Sequence, residues 1–192
     1  MIRKPMLATG MAAFSFAFAA AGVQAQTNTP PSQMQSTMPA QSQTKASRAD
    51  QTFMKQAIQG DLAEVQMGRL AQQNGQSDAV KQFGQTLVSD HSANAEKAKQ
   101  VAEQMGMTPP SEPSAKQQAE YKKMSKLSGA KFDREFAQGM VKDHKAEIAK
   151  FKKEAKKSGP VANFAKQTVP ALEQHLQMAQ SIEKKKQTTG SD

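Results

Sequence analysis

A chain of 192 residues with 26 Lys/Arg against 17 Asp/Glu, formal net charge +9, has room for one modest domain plus tails. Apolar residues make up 37% and aromatic residues 5%, with no Trp, which suits a helical core of Ala, Leu, Val, Met and Phe better than a β-sandwich. The absence of Cys excludes disulfides, thiolate chemistry and a lipid-bearing thiol behind a leader, so stability must come from packing or from a bound ion.

The first 25 residues read as a targeting segment. Arg3 and Lys4 form a charged start, Met6 to Ala21 is a largely apolar run, and Val23-Gln24-Ala25 ends in the small-residue pattern of signal-peptidase cleavage, placing the cut after Ala25. A retained anchor is the alternative; the run is short and rich in Ala for that role. No other long apolar run follows, so the mature chain is expected to be periplasmic or secreted and soluble, without a transmembrane segment. Residues 26–46 are rich in Gln, Ser, Thr and Pro without apolar period, a disordered linker.

A folded domain is expected over residues 47–186, with a frayed tail over 187–192. The first long helix starts near Ser47 or Asp50 and runs to Asn74, with Phe53, Ala57, Gly60, Glu64, Met67 and Ala71 on its inward seam. Asn74-Gly75 stops it and Ser77 caps the second, so the two form an antiparallel hairpin. The second carries Val80, Gly84, Leu87, His91, Asn94, Ala98, Val101 and Met105 at alternating steps of four and three. Pro109, Pro110 and Pro113 break the chain, and Ala115 to Leu127 forms a short extra helix. The third long helix, from about Ala130 to Lys157, buries Phe132, Phe136, Met140, His144, Ile148 with Glu147, Phe151 and Ala155. Ser158-Gly159-Pro160 opens the fourth, with Val161, Ala165, Thr168, Leu172, His175, Ala179 and Ile182 inward and Pro170 expected to kink it or strand a carbonyl. The fold class is therefore all-α: a four-helix bundle of two antiparallel hairpins, with a short helix before the third long one.

The hairpins resemble each other. Phe53 aligns with Phe132 and Gly60 with Gly139, which sets Glu64 against Asp143; Val80 aligns with Val161 and Phe83 with Phe164, which sets Asn94 against His175. A duplicated hairpin around a central polar layer is one plan for carboxylate metal sites. All three His of the chain fall on inward stripes, which chance alone would do about one time in twelve if a stripe covers three positions in seven.

Imidazole nitrogen and carboxylate oxygen ligate first-row metals, and burying them unsatisfied costs desolvation that an ion removes. The candidate ligands are Glu64, His91, His144, Glu147 and His175, with His144 and Glu147 one turn apart on a single face. Asp90 and Asp143, rotated about 100° from their neighbouring histidines, suit the role of partners that orient a ring on another helix. Iron, manganese, zinc and no metal at all stay open, because the same residues can form a hydrogen-bonded layer that sets helix register. No catalytic residue is assigned, since a ligand set does not make a reaction.

Charge is uneven: Ser47 to Met107 holds six Lys/Arg and seven Asp/Glu, whereas Glu112 to Asp192 holds seventeen and ten, including the run Lys150 to Lys157. Such a field suits a solvated helix face, or weak attraction to anionic envelope polymers. One Tyr and no aromatic interleaving exclude a specific nucleic-acid groove.

The stretches FMKQAIQGDLAEVQMGRLA, FGQTLVSDHSANAEKAKQVAEQMG, LSGAKFDREFAQGMVKDHKAEIAKFKKEA and FAKQTVPALEQHLQMAQ, in this order, resemble the exported bacterial family catalogued as domain of unknown function 4142, a ferritin-like group. The resemblance covers about Thr52 to Glu183 and implies a ferritin-like four-helix bundle in the envelope or outside the cell, without bringing an activity. Ferritin-like metal enzymes carry Glu-x-x-His on two helices. Here Val88, Val141 and Leu172 stand where those Glu would be, so the usual di-iron set is incomplete. Three functions follow: an envelope bundle with a metal site tied to metal handling or stress, a metal-dependent oxidase or peroxide scavenger, and a metal-free envelope interaction module.

Overall fold

The computed structural model describes residues 47–188, and every regular element among them is a helix. The leader, the linker up to residue 46 and the chain after residue 188 lie outside the described residues. The helices are α1 (Arg48–Asn74), α2 (Asp78–Gln104), α3 (Ala115–Met124), α4 (Gly129–Glu154) and α5 (Pro160–Thr188). None of them is long and apolar enough to cross a membrane.

The starts and stops follow local chemistry. The Ser47 hydroxyl accepts from the Asp50 amide and opens α1, and Ser114 with Gln117 forms a reciprocal capping box on α3. Ser77 precedes α2 as expected, but its side chain makes no capping bond. The carboxylate of Asp133 on α4 takes that role, accepting from the amides of Gln76 at 2.8 Å and Ser77 at 3.0 Å. An acid at a helix N-terminus meets unpaired N–H groups and the positive end of the dipole, so this contact joins the start of α2 to the start of α4. α5 continues through Pro170, whose ring points to solvent.

α1 and α2 pack along their lengths, as do α4 and α5; α2 meets α5, α1 meets α4, and α3 lies against α1 and α4. The result is a helical bundle with two apolar cores. One gathers Leu70, Val80, Phe83, Leu87, Phe132 and Phe136; the other Met54, Ile58, Ile148, Phe151, Phe164 and Leu172. Between them lies a belt of buried polar side chains: Asp61, Glu64, His91, His144, Thr168 and His175.

The inward stripe of α5 is buried at all seven positions read from the sequence, and that of α4 from Phe132 to Phe151 apart from half-buried Glu147. On α1 the register needs correction. The buried seam is Met54, Ala57, Asp61, Glu64, Gly68 and Ala71, while Phe53, Gly60 and Met67 lie half-buried on its flank. Two seams one residue apart share Ala57, Glu64 and Ala71, and hydropathy favours the one without an aspartate.

Gly68 and Gly84 allow α1 and α2 to touch backbone to backbone. A Cβ on Gly84 would stand 2.6 Å from the Gly68 carbonyl oxygen and 2.9 Å from the Ala71 Cβ, and a Cβ on Gly68 would stand 2.6 Å from the Gly84 oxygen. Neither backbone can yield without spreading the hairpin. Gly84→Ala is therefore expected to destabilise the fold by about 1–3 kcal/mol through overpacking, against the roughly 0.5–1 kcal/mol that Ala gains over Gly in a helix. Urea unfolding measures it, and a neutral or stabilised variant would contradict the close approach.

Candidate metal centre

The three histidines meet in the polar belt. One ring nitrogen from each of His91, His144 and His175 lies within 4.8 Å of those of the other two. Ring centroids stand 5.1 Å apart for His91 and His175, 5.4 Å for His144 and His175, and 6.0 Å for His91 and His144. Phe83 of the Leu70–Phe136 core borders them: its ring lies 6.1 Å from that of His175 and 6.4 Å from that of His144. Residue exposure is 2% for His91, 0% for His144 and 1% for His175.

Each ring is held by one nitrogen and leaves the other without a partner. His91 Nδ1 donates to Asp61 Oδ1 at 2.8 Å, His144 Nδ1 to the Met140 carbonyl at 3.0 Å, and His175 Nε2 to Asp90 Oδ2 at 2.9 Å. The buried nitrogens without a partner are His91 Nε2, His144 Nε2 and His175 Nδ1. A backbone carbonyl and a carboxylate can only accept, so these bonds set the tautomers of His144 and His175 and turn a bare lone pair on each away from its anchor. Buried polar atoms in folded proteins are nearly always paired, and three unpaired ring nitrogens so close together form a group that could hold a metal ion.

The anchoring network reaches three helices. Asp61, 1% exposed, also accepts from Asn94 Nδ2 at 3.1 and 2.9 Å, and Asn94 Oδ1 accepts from the Thr168 hydroxyl at 2.9 Å. Asn94 is thus the link between α1 and α5 through α2. Asp61 is the residue that sequence reading missed; its signal was its place three residues before Glu64 and four after Ala57. Asp90 orients a histidine on another helix as expected. Asp143, half-buried, senses Glu120, Lys142 and Lys116 instead of a ring.

Glu64 and Glu147 adjoin the histidines without entering the mutually close set. Glu64 Oε2 is buried and unpartnered. The Glu147 Oε1 atom lies 3.6 Å from where a Cβ on Gly60 would stand, so Glu147 reaches from α4 onto α1.

Burial raises the Glu64 carboxyl to about 8, helped by Glu147, Asp143 and Asp61 and opposed by His91. It likewise raises Glu147 to about 7. For His91, burial works downward but is outweighed by the Asp61 hydrogen bond and the charges of Glu64, Asp61 and Glu147, which bring it to about 9. His144 is pushed down to about 3 by burial and by the charges of His91 and His175, and His175 is lowered chiefly by burial. These shifts favour neutral His144 and His175 beside a protonated His91 at neutral pH.

The family model described as "Domain of unknown function (DUF4142)" matches residues 35–182. No curated protein and no solved structure matches the chain.

Proposed function

The chain belongs to the DUF4142 family, a domain of unknown function, and from that premise we propose that it is an exported, ferritin-like four-helix protein that binds a transition-metal ion in its polar belt. The observation that carries this reading is the trio of buried, unpartnered ring nitrogens on three helices, each ring locked by a bond at its other nitrogen. Outer partners of that kind, a carboxylate or a carbonyl on the far nitrogen, are what metal-bound histidines usually have. His91, His144 and His175 hold the ion, and Glu64 on α1, whose Oε2 is buried and unpartnered, is the neighbouring acid that would join them. When bound, the ion supplies positive charge that replaces the His91 proton and satisfies the lone pairs. Three imidazoles beside carboxylates suit zinc or iron better than manganese, which prefers oxygen.

The role supported is binding and metal handling. Glu64 and Glu147 have none of the Glu-x-x-His arrangement of di-iron oxidases. Export rests on the leader, and the cationic second half is a solvated face: Lys152 pairs with Glu173, and Lys157 with Glu154 and Asp50. Elemental analysis and calorimetry on chain prepared without a polyhistidine tag are expected to show a single ion per chain. Failure to take up zinc, iron or manganese after chelation would end this reading.

A further inference from the structure

The three rings are sealed from solvent: His91, His144 and His175 are 2% exposed or less, and their unpartnered nitrogens are buried. An ion held there is handed in by protein groups, and carboxylates beside the rings are the groups that bind a cation on the way.

Such acids stand in order of depth where α1 faces α4. Asp143 and Glu147, one turn apart on α4, are half-buried. Glu64 on α1 is 8% exposed, and its Oε2 is buried without a partner. The charges of Asp143 and Glu147 act on Glu64, and those of Glu64 and Glu147 act on His91. Glu147 thus reaches both water and the neighbourhood of the rings. Glycines keep the seam thin. Glu147 Oε1 lies 3.6 Å from where a Cβ on Gly60 would stand, and a Cβ on Gly139, one turn before Asp143, would meet nothing within 4 Å. The lysines that act on Asp143 and Glu147, namely Lys116, Lys142 and Lys150, sit at exposed positions. On the α2–α5 side, by contrast, Asp90 is bound to His175 and Lys97 adds a positive charge.

We infer that Glu147 is the entry ligand of the metal centre: a divalent cation is taken up between Asp143 and Glu147 and passed through Glu64 to the histidines. The inference rests on the metal reading above. It gives a role to Glu147, which lies outside the mutually close set. An acid that carries an ion across a barrier speeds travel in both directions, whereas one that only attracts it speeds entry and slows escape.

The test mixes the metal-free full chain with cobalt(II), whose visible spectrum reports its ligands, and then follows release into excess chelator. Glu147→Gln, isosteric and uncharged, is expected to slow uptake and release alike, each by about fivefold, the worth of one charge near 4 Å in a water-like medium, with the final cobalt spectrum unchanged. Asp143→Asn is expected to slow both by less, and Lys97→Gln to leave both as in the parent. Unchanged rates in Glu147→Gln overturn the entry role and leave the metal site standing. So does slower uptake with faster release, the mark of an acid that only attracts or holds the ion. A change in Lys97→Gln as large as that in Glu147→Gln places entry on the α2–α5 side and overturns the role too. If Glu147→Gln fails to fold, parent rates in Asp143→Asn overturn it by themselves. A chain that takes up no cobalt overturns the metal reading and this inference together.

Discussion

His144→Leu is expected to abolish metal binding and, at the same time, to raise the melting temperature of the metal-free protein. His144 is fully buried, and its only hydrogen bond goes to the Met140 carbonyl of its own helix. Its Nε2 has no partner. A leucine has nearly the same shape, leaves no donor or acceptor stranded and packs against Phe83 and the core that holds Met140. Relief of an unsatisfied buried group is worth about 1–3 kcal/mol. Loss of a direct ligand should cost more than the roughly 10- to 100-fold in affinity that loss of an outer partner costs. His91→Leu makes the contrast, because it takes the charge partner from the Asp61 carboxylate at 1% exposure, leaving it Asn94 alone, and so destabilises the chain, by about 3–5 kcal/mol if Asp61 stays charged. Thermal melts with and without chelator, beside calorimetric titration with zinc, read both effects. If His144→Leu lowers the stability of the metal-free chain, the ring is there for packing, and the polar belt is a register device.

Much of this arrangement was legible in the sequence because helical period and burial are strongly coupled. Val161, Ala165, Thr168, Leu172, His175, Ala179 and Ile182 repeat at steps of four and three, and all seven are buried. That repeat fixes the face on which His175 lies, and the same holds for His91 and His144. It says nothing about height along the bundle, which depends on how Asn74–Ser77 and Ala155–Gly159 set one helix against the next. Periodicity alone therefore leaves the meeting of the three rings open. Asp61 was invisible for another reason. An aspartate scores as surface on any hydropathy scale, and only the His91 and Asn94 partners 30 and 33 residues away make its burial affordable. The capping of α2 by Asp133 was hidden in the same way, since the donor amides and the acceptor lie 56 and 57 residues apart.

The stability gained from metal should widen steeply as pH rises from 6.5 to 9, because the metal-free chain loses stability over that range while the metal-loaded chain holds its own. In the metal-free fold His91 stands at about 9 and Glu64 at about 8, both above their ordinary values of 6.5 and 4.5. A group whose pKa is raised by folding contributes fully below its unfolded value and loses that contribution as pH climbs through the folded one. His91 thus loses its contribution between 6.5 and about 9, and Glu64 between 4.5 and about 8. Glu147, at about 7, and Asp143, also raised, act in the same direction. His144 and His175 are depressed, so their contributions fall only as pH drops below 6.5 and offset the carboxylates on the acid side. The metal-free chain is then most stable below about pH 6.5 and loses on the order of 6 kcal/mol by pH 9, about half of it from His91, since each proton held in the fold and released on unfolding is worth about 1.4 kcal/mol per pH unit. An ion held by His91 and Glu64 needs both groups deprotonated, so its affinity climbs over the same interval. Melts at matched ionic strength, with zinc and with chelator, across that range measure the gap. A gap that stays constant or narrows would show that the protons of His91 and Glu64 are not the ones an ion displaces, and would move the centre away from these two residues.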